Sequence, residues 1–193
     1  VKRILAYSSI AHAGYLLVAI VAGSPMSPVA LAFYLFAYTL ATMGAFGVIS
    51  AVGQAGEGNQ HTDDYAGLWR ARPGLAVAMA IFMLALMGFP IFGGIGFFAK
   101  WYVLQAALNV PAPQTRLAIV LVLTSVISAG YYLYVIMVMF MRPRPQSAVA
   151  PRALDGLTGL VIGATAVLIL VFGLYPNPIV RLTAASEPRA PGL

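Results

Sequence analysis

Lys100 stands inside "GFPIFGGIGFFAKWYVL" (88–104), an apolar stretch interrupted elsewhere only by a proline among glycines, and it is one of two lysines in the chain. Desolvation disfavours the charged form of an amine, so a lysine held in such surroundings is suited to take up and release protons. His12 adds imidazole, whose charge changes closest to neutral pH. Around these two, hydroxyls recur at helical spacing: Ser8, His12 and Tyr15; Tyr34, Tyr38 and Thr42; Ser125, Ser128 and Tyr132. The chemistry this set suggests is proton transfer, with Lys100 as the loading site and His12, Tyr38 and Tyr132 as candidate relays. Hydroxyls between membrane helices also serve simply to hold helices together, and a stripe alone does not separate the two roles. His61, in a polar stretch, reads as a solvated side chain.

Something must hold these side chains in place, and composition says what. The 193 residues are 61% hydrophobic and 8% charged, against about 25% charged in an ordinary soluble domain. Apolar runs cover 4–22, 29–52, 73–107, 117–141 and 156–175, and about 20 residues suffice to cross the hydrocarbon core. The expected fold is all-α: a polytopic membrane bundle of about five transmembrane helices. "GSPMSP" (23–28), "NVPAPQT" (109–115) and "RPRPQSAVAPR" (142–152) hold helix-stopping prolines; 53–72 is the one long hydrophilic loop and 176–193 a tail.

The run 73–107 is too long for a plain crossing, since its 35 residues measure about 52 Å as one helix. Pro90 has no N–H and crowds the preceding turn, and Gly88, Gly93, Gly94 and Gly96 loosen the backbone, so a break is expected over 88–94. Broken backbone at membrane depth persists only where protein or a hydrated cavity satisfies it. A proline kink alone would account for the break, but Lys100 lies about 16 Å from the helix exit at Pro111, near mid-bilayer. A charge there costs roughly 2.5–3.5 kcal/mol even on the lenient insertion scale, and such residues usually do work.

The formal net charge of +6 does not indicate nucleic acid, because the basic residues form no continuous patch and stand at helix ends. If 73–107 crosses once, Lys2, Arg3, Arg70, Arg72, Arg142, Arg144 and Arg152 share one side and Arg116, Arg181 and Arg189 the other. The positive-inside rule then puts the N-terminus and loop 53–72 in the cytoplasm. Cysteine is absent, which excludes disulfides, iron–sulfur clusters and thiolate metal sites within the chain. Gly94, Gly96 and Ala99 match GxGxxA with no βαβ unit around them, so no nucleotide site is read there. Gly159 and Gly163 form a GxxxG expected to mark close helix packing. The start at Val1, at a helix start and without methionine, reads as an incomplete N-terminus.

"VKRILAYSSIAHAGYLLVAIV", "FYLFAYTLATMGAFGVIS" and "GFPIFGGIGFFAKWYVL", in that order, resemble the C-terminal helices of the subunit N family of NADH-quinone oxidoreductase, antiporter-like membrane subunits of respiratory complex I. The resemblance runs from Val1 to about Tyr175. It implies the second half of an inverted repeat plus a last helix, with the other half missing. The family's lysine on its broken helix maps onto Lys100 through Gly96, Phe97 and Lys100. Tyr34, Tyr38 and Thr42 stand where paralogous subunits carry His, His and Lys, and Tyr134 where the family often has arginine.

The implied function is proton translocation coupled to quinone reduction elsewhere in the complex. The resemblance also implies no cofactor in this chain, with NADH, FMN, iron–sulfur clusters and quinone on partner subunits. Its partners would be other membrane-arm subunits and the lipid bilayer, and its place the bacterial inner (plasma) membrane. A subunit of a multisubunit cation/proton antiporter and a non-catalytic membrane scaffold are the alternatives.

Overall fold

The computed structural model describes residues 1–53, 61–91, 94–145 and 154–176. Gly93, Arg152, residues 54–60 of the polar loop, most of the third proline connector and nearly all of the tail lie outside them. Among the described residues the chain is entirely helical: α1 (Lys2–Ala22), α2 (Ser27–Val52), a 3-10 turn (Thr62–Tyr65), α3 (Leu68–Ala71), α4 (Pro73–Met87), α5 (Gly94–Leu108), α6 (Thr115–Met141) and α7 (Gly156–Leu174). Four of these, α1, α2, α6 and α7, are long and apolar enough to cross a membrane. Many of their large apolar side chains face outward, such as Ile10, Val126, Ile127 and Leu160, as expected of helices whose solvent is hydrocarbon.

Small residues explain how the helices approach. α2 packs against α1, α4, α5 and α7, and the ring of Phe82 on α4 fills the space a Cβ at Gly44 would need. α2 starts earlier than the proline count implies: Pro28 sits in its first turn, where a missing N–H costs no helical bond.

The long apolar run is two helices. α4 ends at Met87, Gly88 turns left-handed (φ 81°), and the N–H of Phe89 reaches back to the carbonyl of Leu84. That closure suits glycine, which carries no Cβ to clash. Both pieces run the same way: Phe82 on α4 meets Gly44 of α2, while Tyr102 on α5 stacks edge-on against Phe33, earlier in α2 (ring centroids 5.1 Å apart). α5 does not double back; it continues the direction of α4 after a sideways step. Its first residue, Gly94, lies so close to Gly173 at the end of α7 that a Cβ would fall 2.5 Å from the Gly173 carbonyl oxygen.

At the far end of the bundle, the turn Thr62–Tyr65 and α3 lie on the end of α6. Gly67 N–H donates to the Val138 carbonyl (3.4 Å), Trp69 stacks on Phe140, and Arg142 pairs with Asp63 at 2.7 Å. Both ion-pair partners are well exposed, so the pair contributes about 0–1 kcal/mol. Buried Tyr65 adds more; burial, with Asp64 beside it, pushes its phenol pKa up and keeps it neutral. His61 is exposed, and its backbone N–H donates to the Asp64 carboxylate at 2.9 Å.

Candidate functional site

A helix that ends at Met87 leaves its last carbonyls without intrahelical partners. One of them is taken: Lys100 Nζ donates to the Met87 carbonyl at 2.8 Å. The step between the half-helices makes this possible, because it lays the first turns of α5 alongside the last turn of α4. A Cβ at Gly96 would collide with the Ala85 carbonyl, and one at Gly88 would touch the Lys100 stem. Lys100 is 9% exposed. Its amine lies 5.2 Å from the centroid of the Tyr15 ring, within cation–π range.

Three helices, α1, α2 and α6, deliver the neighbouring groups. His12 on α1 is buried with each ring nitrogen facing a phenol: Nδ1 lies 2.6 Å from Tyr34 Oη, and Nε2 3.1 Å from Tyr132 Oη on α6. A neutral imidazole donates from one nitrogen and accepts at the other, so one phenol donates to His12 while the other accepts from it. Tyr132 also bonds Ser8. The result is an unbroken hydrogen-bonded chain, Ser8–Tyr132–His12–Tyr34, through buried side chains. Tyr38 packs against His12 with the rings tilted by 31° and their centroids 4.6 Å apart.

Lys100 and this chain face one another across a narrow cavity lined by His12, Tyr34, Tyr38, Lys100 and Gly96, with room for about one water molecule. On its other side Lys100 lines a wider apolar cavity between the break and α6, near Pro90, Trp101 and Leu121. The lysine therefore forms part of the wall between the two.

Of the sequence candidates, Lys100, His12, Tyr38 and Tyr132 come together. Gly88 and Gly94 bound the break and Pro90 sits in its turn, while Gly93 lies outside the described residues. Three stripe members do not join: Ser128 bonds the Thr124 carbonyl of its own helix, and no partner is found for the buried hydroxyls of Thr42 and Ser125. Tyr134 is apart, accepting from Arg142 at 3.3 Å. Tyr34 and the Met87 carbonyl were not singled out from sequence. Tyr34 was visible as part of a stripe, whereas a backbone acceptor has no residue signature beyond the Gly88–Pro90 pattern that frees it. Among the described residues no three His, Asp or Glu side chains gather as a metal site.

Tyr132→Phe removes the oxygen that joins Ser8 to His12 and keeps the ring. It is expected to leave one His12 nitrogen unpaired in a buried site, at a cost of about 1–3 kcal/mol. Thermal denaturation of the membrane-assembled protein measures this, and an unchanged midpoint would show that the phenol oxygen has another role.

Residues 1–128 match the family model described as NADH:quinone oxidoreductase/Mrp antiporter, TM. The chain is 54% identical over 98% of its length to NADH-quinone oxidoreductase subunit N of Gemmatimonas aurantiaca, and 45% over 96% to subunit N of Chloroflexus aggregans. It spans only 38% and 37% of those relatives' lengths. It also superposes on a chain of respiratory complex I from Thermus thermophilus, solved with bound aureothin, with TM-score 0.79 and 34% identity, covering 97% of this chain and 41% of that one.

Proposed function

Because the chain belongs to the NADH:quinone oxidoreductase/Mrp antiporter transmembrane family, we propose that it is part of a proton-translocating membrane subunit of NADH-quinone oxidoreductase, with Lys100 as the group that loads the proton. The observation that carries this reading is a buried amine, held by a freed helix carbonyl, across a narrow cavity from a hydrogen-bonded His–Tyr chain. His12 is the hinge of that chain, since donating at one nitrogen while accepting at the other passes a proton without net charge left behind. Tyr132 and Ser8 extend the path toward α6. Tyr34 and Tyr38 line the gap that a water molecule would bridge to Lys100.

In this reading NADH, FMN, the iron–sulfur clusters and quinone belong to partner subunits of the membrane and peripheral arms. This chain couples to them by moving protons in the bacterial inner membrane. The relatives named subunit N favour it over a subunit of a multisubunit cation/proton antiporter, which would share Lys100. A pure scaffold would not need the lysine. The decisive measurement is proton uptake driven by quinone reduction in vesicles containing the assembled complex with Lys100 replaced.

We further propose five crossings, at 4–22, 29–52, 73–107, 117–141 and 156–175, with the broken segment crossing once and the N-terminus in the cytoplasm. The shared direction of α4 and α5 supports the single crossing. Reporter fusions after Gln60 and Pro145 are expected to report cytoplasm, and fusions after Pro25 and Pro113 the opposite face. A cytoplasmic signal at Pro113 would mean that 73–107 crosses twice.

A further inference from the structure

Lys100 carries its amine in a place with little to balance a charge. Among the described residues no carboxylate pairs with it, and a protonated amine has three N–H donors to place. The Met87 carbonyl takes one of them. A second partner is the ring of Tyr15 on α1: the amine stands over it, 5.2 Å from the centroid, inside the roughly 6 Å within which a ring face attracts a cation.

Tyr15 is built into the site as a ring rather than as a hydroxyl. The side chain is 3% exposed, yet no partner is found for its hydroxyl among the described residues, whereas the phenols of Tyr34 and Tyr132 both bond His12. A buried hydroxyl without a bond costs stability, so hydrogen bonding does not account for a tyrosine here. The plane of the ring is held from two sides. It meets the His12 ring at 76° with centroids 5.7 Å apart, and the Tyr34 ring at 66° with centroids 6.3 Å apart. His12 and Tyr15 are three residues apart and share a face of α1. The helix that carries the middle of the hydrogen-bonded chain therefore also carries the surface against which the amine rests.

We propose that Tyr15 is a positioning residue for the proton on Lys100: the electron-rich face of its ring stabilises the ammonium, does nothing comparable for the neutral amine, and so sets how fully the lysine is loaded. Desolvation works against the charged form, which makes loading the uphill step and gives the ring its leverage. The Met87 carbonyl separates the two states less sharply, because a neutral amine can still donate to it. Ser8, Tyr132 and His12 hand the proton along by hydrogen bonds; Tyr15 hands on nothing and acts through charge alone. The inference rests on the reading of Lys100 as the loading group.

The test uses the assembled complex in vesicles, with acidification driven by quinone reduction as the readout and assembly checked on the same membranes. Ring fluorines draw electrons from the face while leaving the shape of the ring nearly unchanged. Phenylalanine carrying one, two and then three fluorines, introduced in place of Tyr15, therefore weakens the cation–π contact in steps. Pumping is expected to fall with each step, by about tenfold at three fluorines. Tyr15→Phe, which keeps the face and drops the hydroxyl, is expected to pump about tenfold faster than Tyr15→Leu, which drops the face. Equal pumping across the fluorine series overturns the proposal. Equal loss in Tyr15→Phe and Tyr15→Leu also overturns it, because the hydroxyl is then the working part. Lys100→Met measured in parallel keeps the two readings apart. Parental pumping there overturns both, whereas loss there beside a flat fluorine series leaves Lys100 as the loading group and removes only the role of Tyr15.

Discussion

Lys100→Met is expected to assemble and to lose proton translocation by about 100-fold, the lower range of what a positioned proton-transfer group contributes. Methionine keeps length and apolarity and lets the Met87 carbonyl go unpaired, while removing a buried charge that costs roughly 2.5–3.5 kcal/mol to insert. Insertion therefore becomes easier as function falls, and the opposite signs separate a chemical role from a structural one. Lys100→Arg sharpens the result. Guanidinium can still donate to Met87 but does not deprotonate at working pH, so a loading site fails with arginine as well. Pumping measured as acidification of vesicles, with assembly checked on the same membranes, reads both variants. Parental pumping by assembled Lys100→Met would make the lysine structural and move the proton path elsewhere.

The second large effect is expected at Gly96, with no change in charge. Its Cβ position is occupied by the Ala85 carbonyl, so Gly96→Ala must push the two half-helices apart. Overpacking of this kind typically costs 1–3 kcal/mol, and the same displacement carries Lys100 away from Met87. Loss of thermal stability and of pumping should appear together. Gly130→Ala on α6 is the control, because its Cβ meets nothing within 4 Å; there the sign reverses, with a gain of roughly 0.5–1 kcal/mol from the helix interior. Equal stability of the Gly96 and Gly130 variants would show that the half-helices are not in fixed contact.

How much of this was legible beforehand follows from what each signal encodes. The long helices were legible because hydrocarbon demands long apolar runs and prolines end them; α1, α2 and α6 each start slightly earlier than the apolar runs, at α2 because a proline in a first turn resembles a proline in a loop, and the short turns within 61–71 left no apolar run to read. The break was legible in Gly88 and Pro90, and Lys100 stood out because a charge at that depth is costly. The assembly around His12 was half legible. Periodicity shows that Tyr34, Tyr38 and Thr42 share a face, but not which helix that face meets, and the structure admits Tyr34 and Tyr38 to the cluster while leaving Thr42 out. The GxxxG of α7 shows the same limit: small residues permit a close neighbour without supplying one, and among the described residues nothing lies within 4 Å of a Cβ at Gly159 or Gly163.

The bond from Lys100 to the Met87 carbonyl has a mechanical consequence. A carboxylate partner would titrate in its own right and let surrounding pH adjust its hold on the amine. A peptide carbonyl never changes charge, so its grip on an ammonium varies only with separation and angle. If Lys100 carries the proton, sliding α5 along α4 is enough to tighten or release it, and the broken helix works as a strain gauge that converts movement along the membrane into proton affinity.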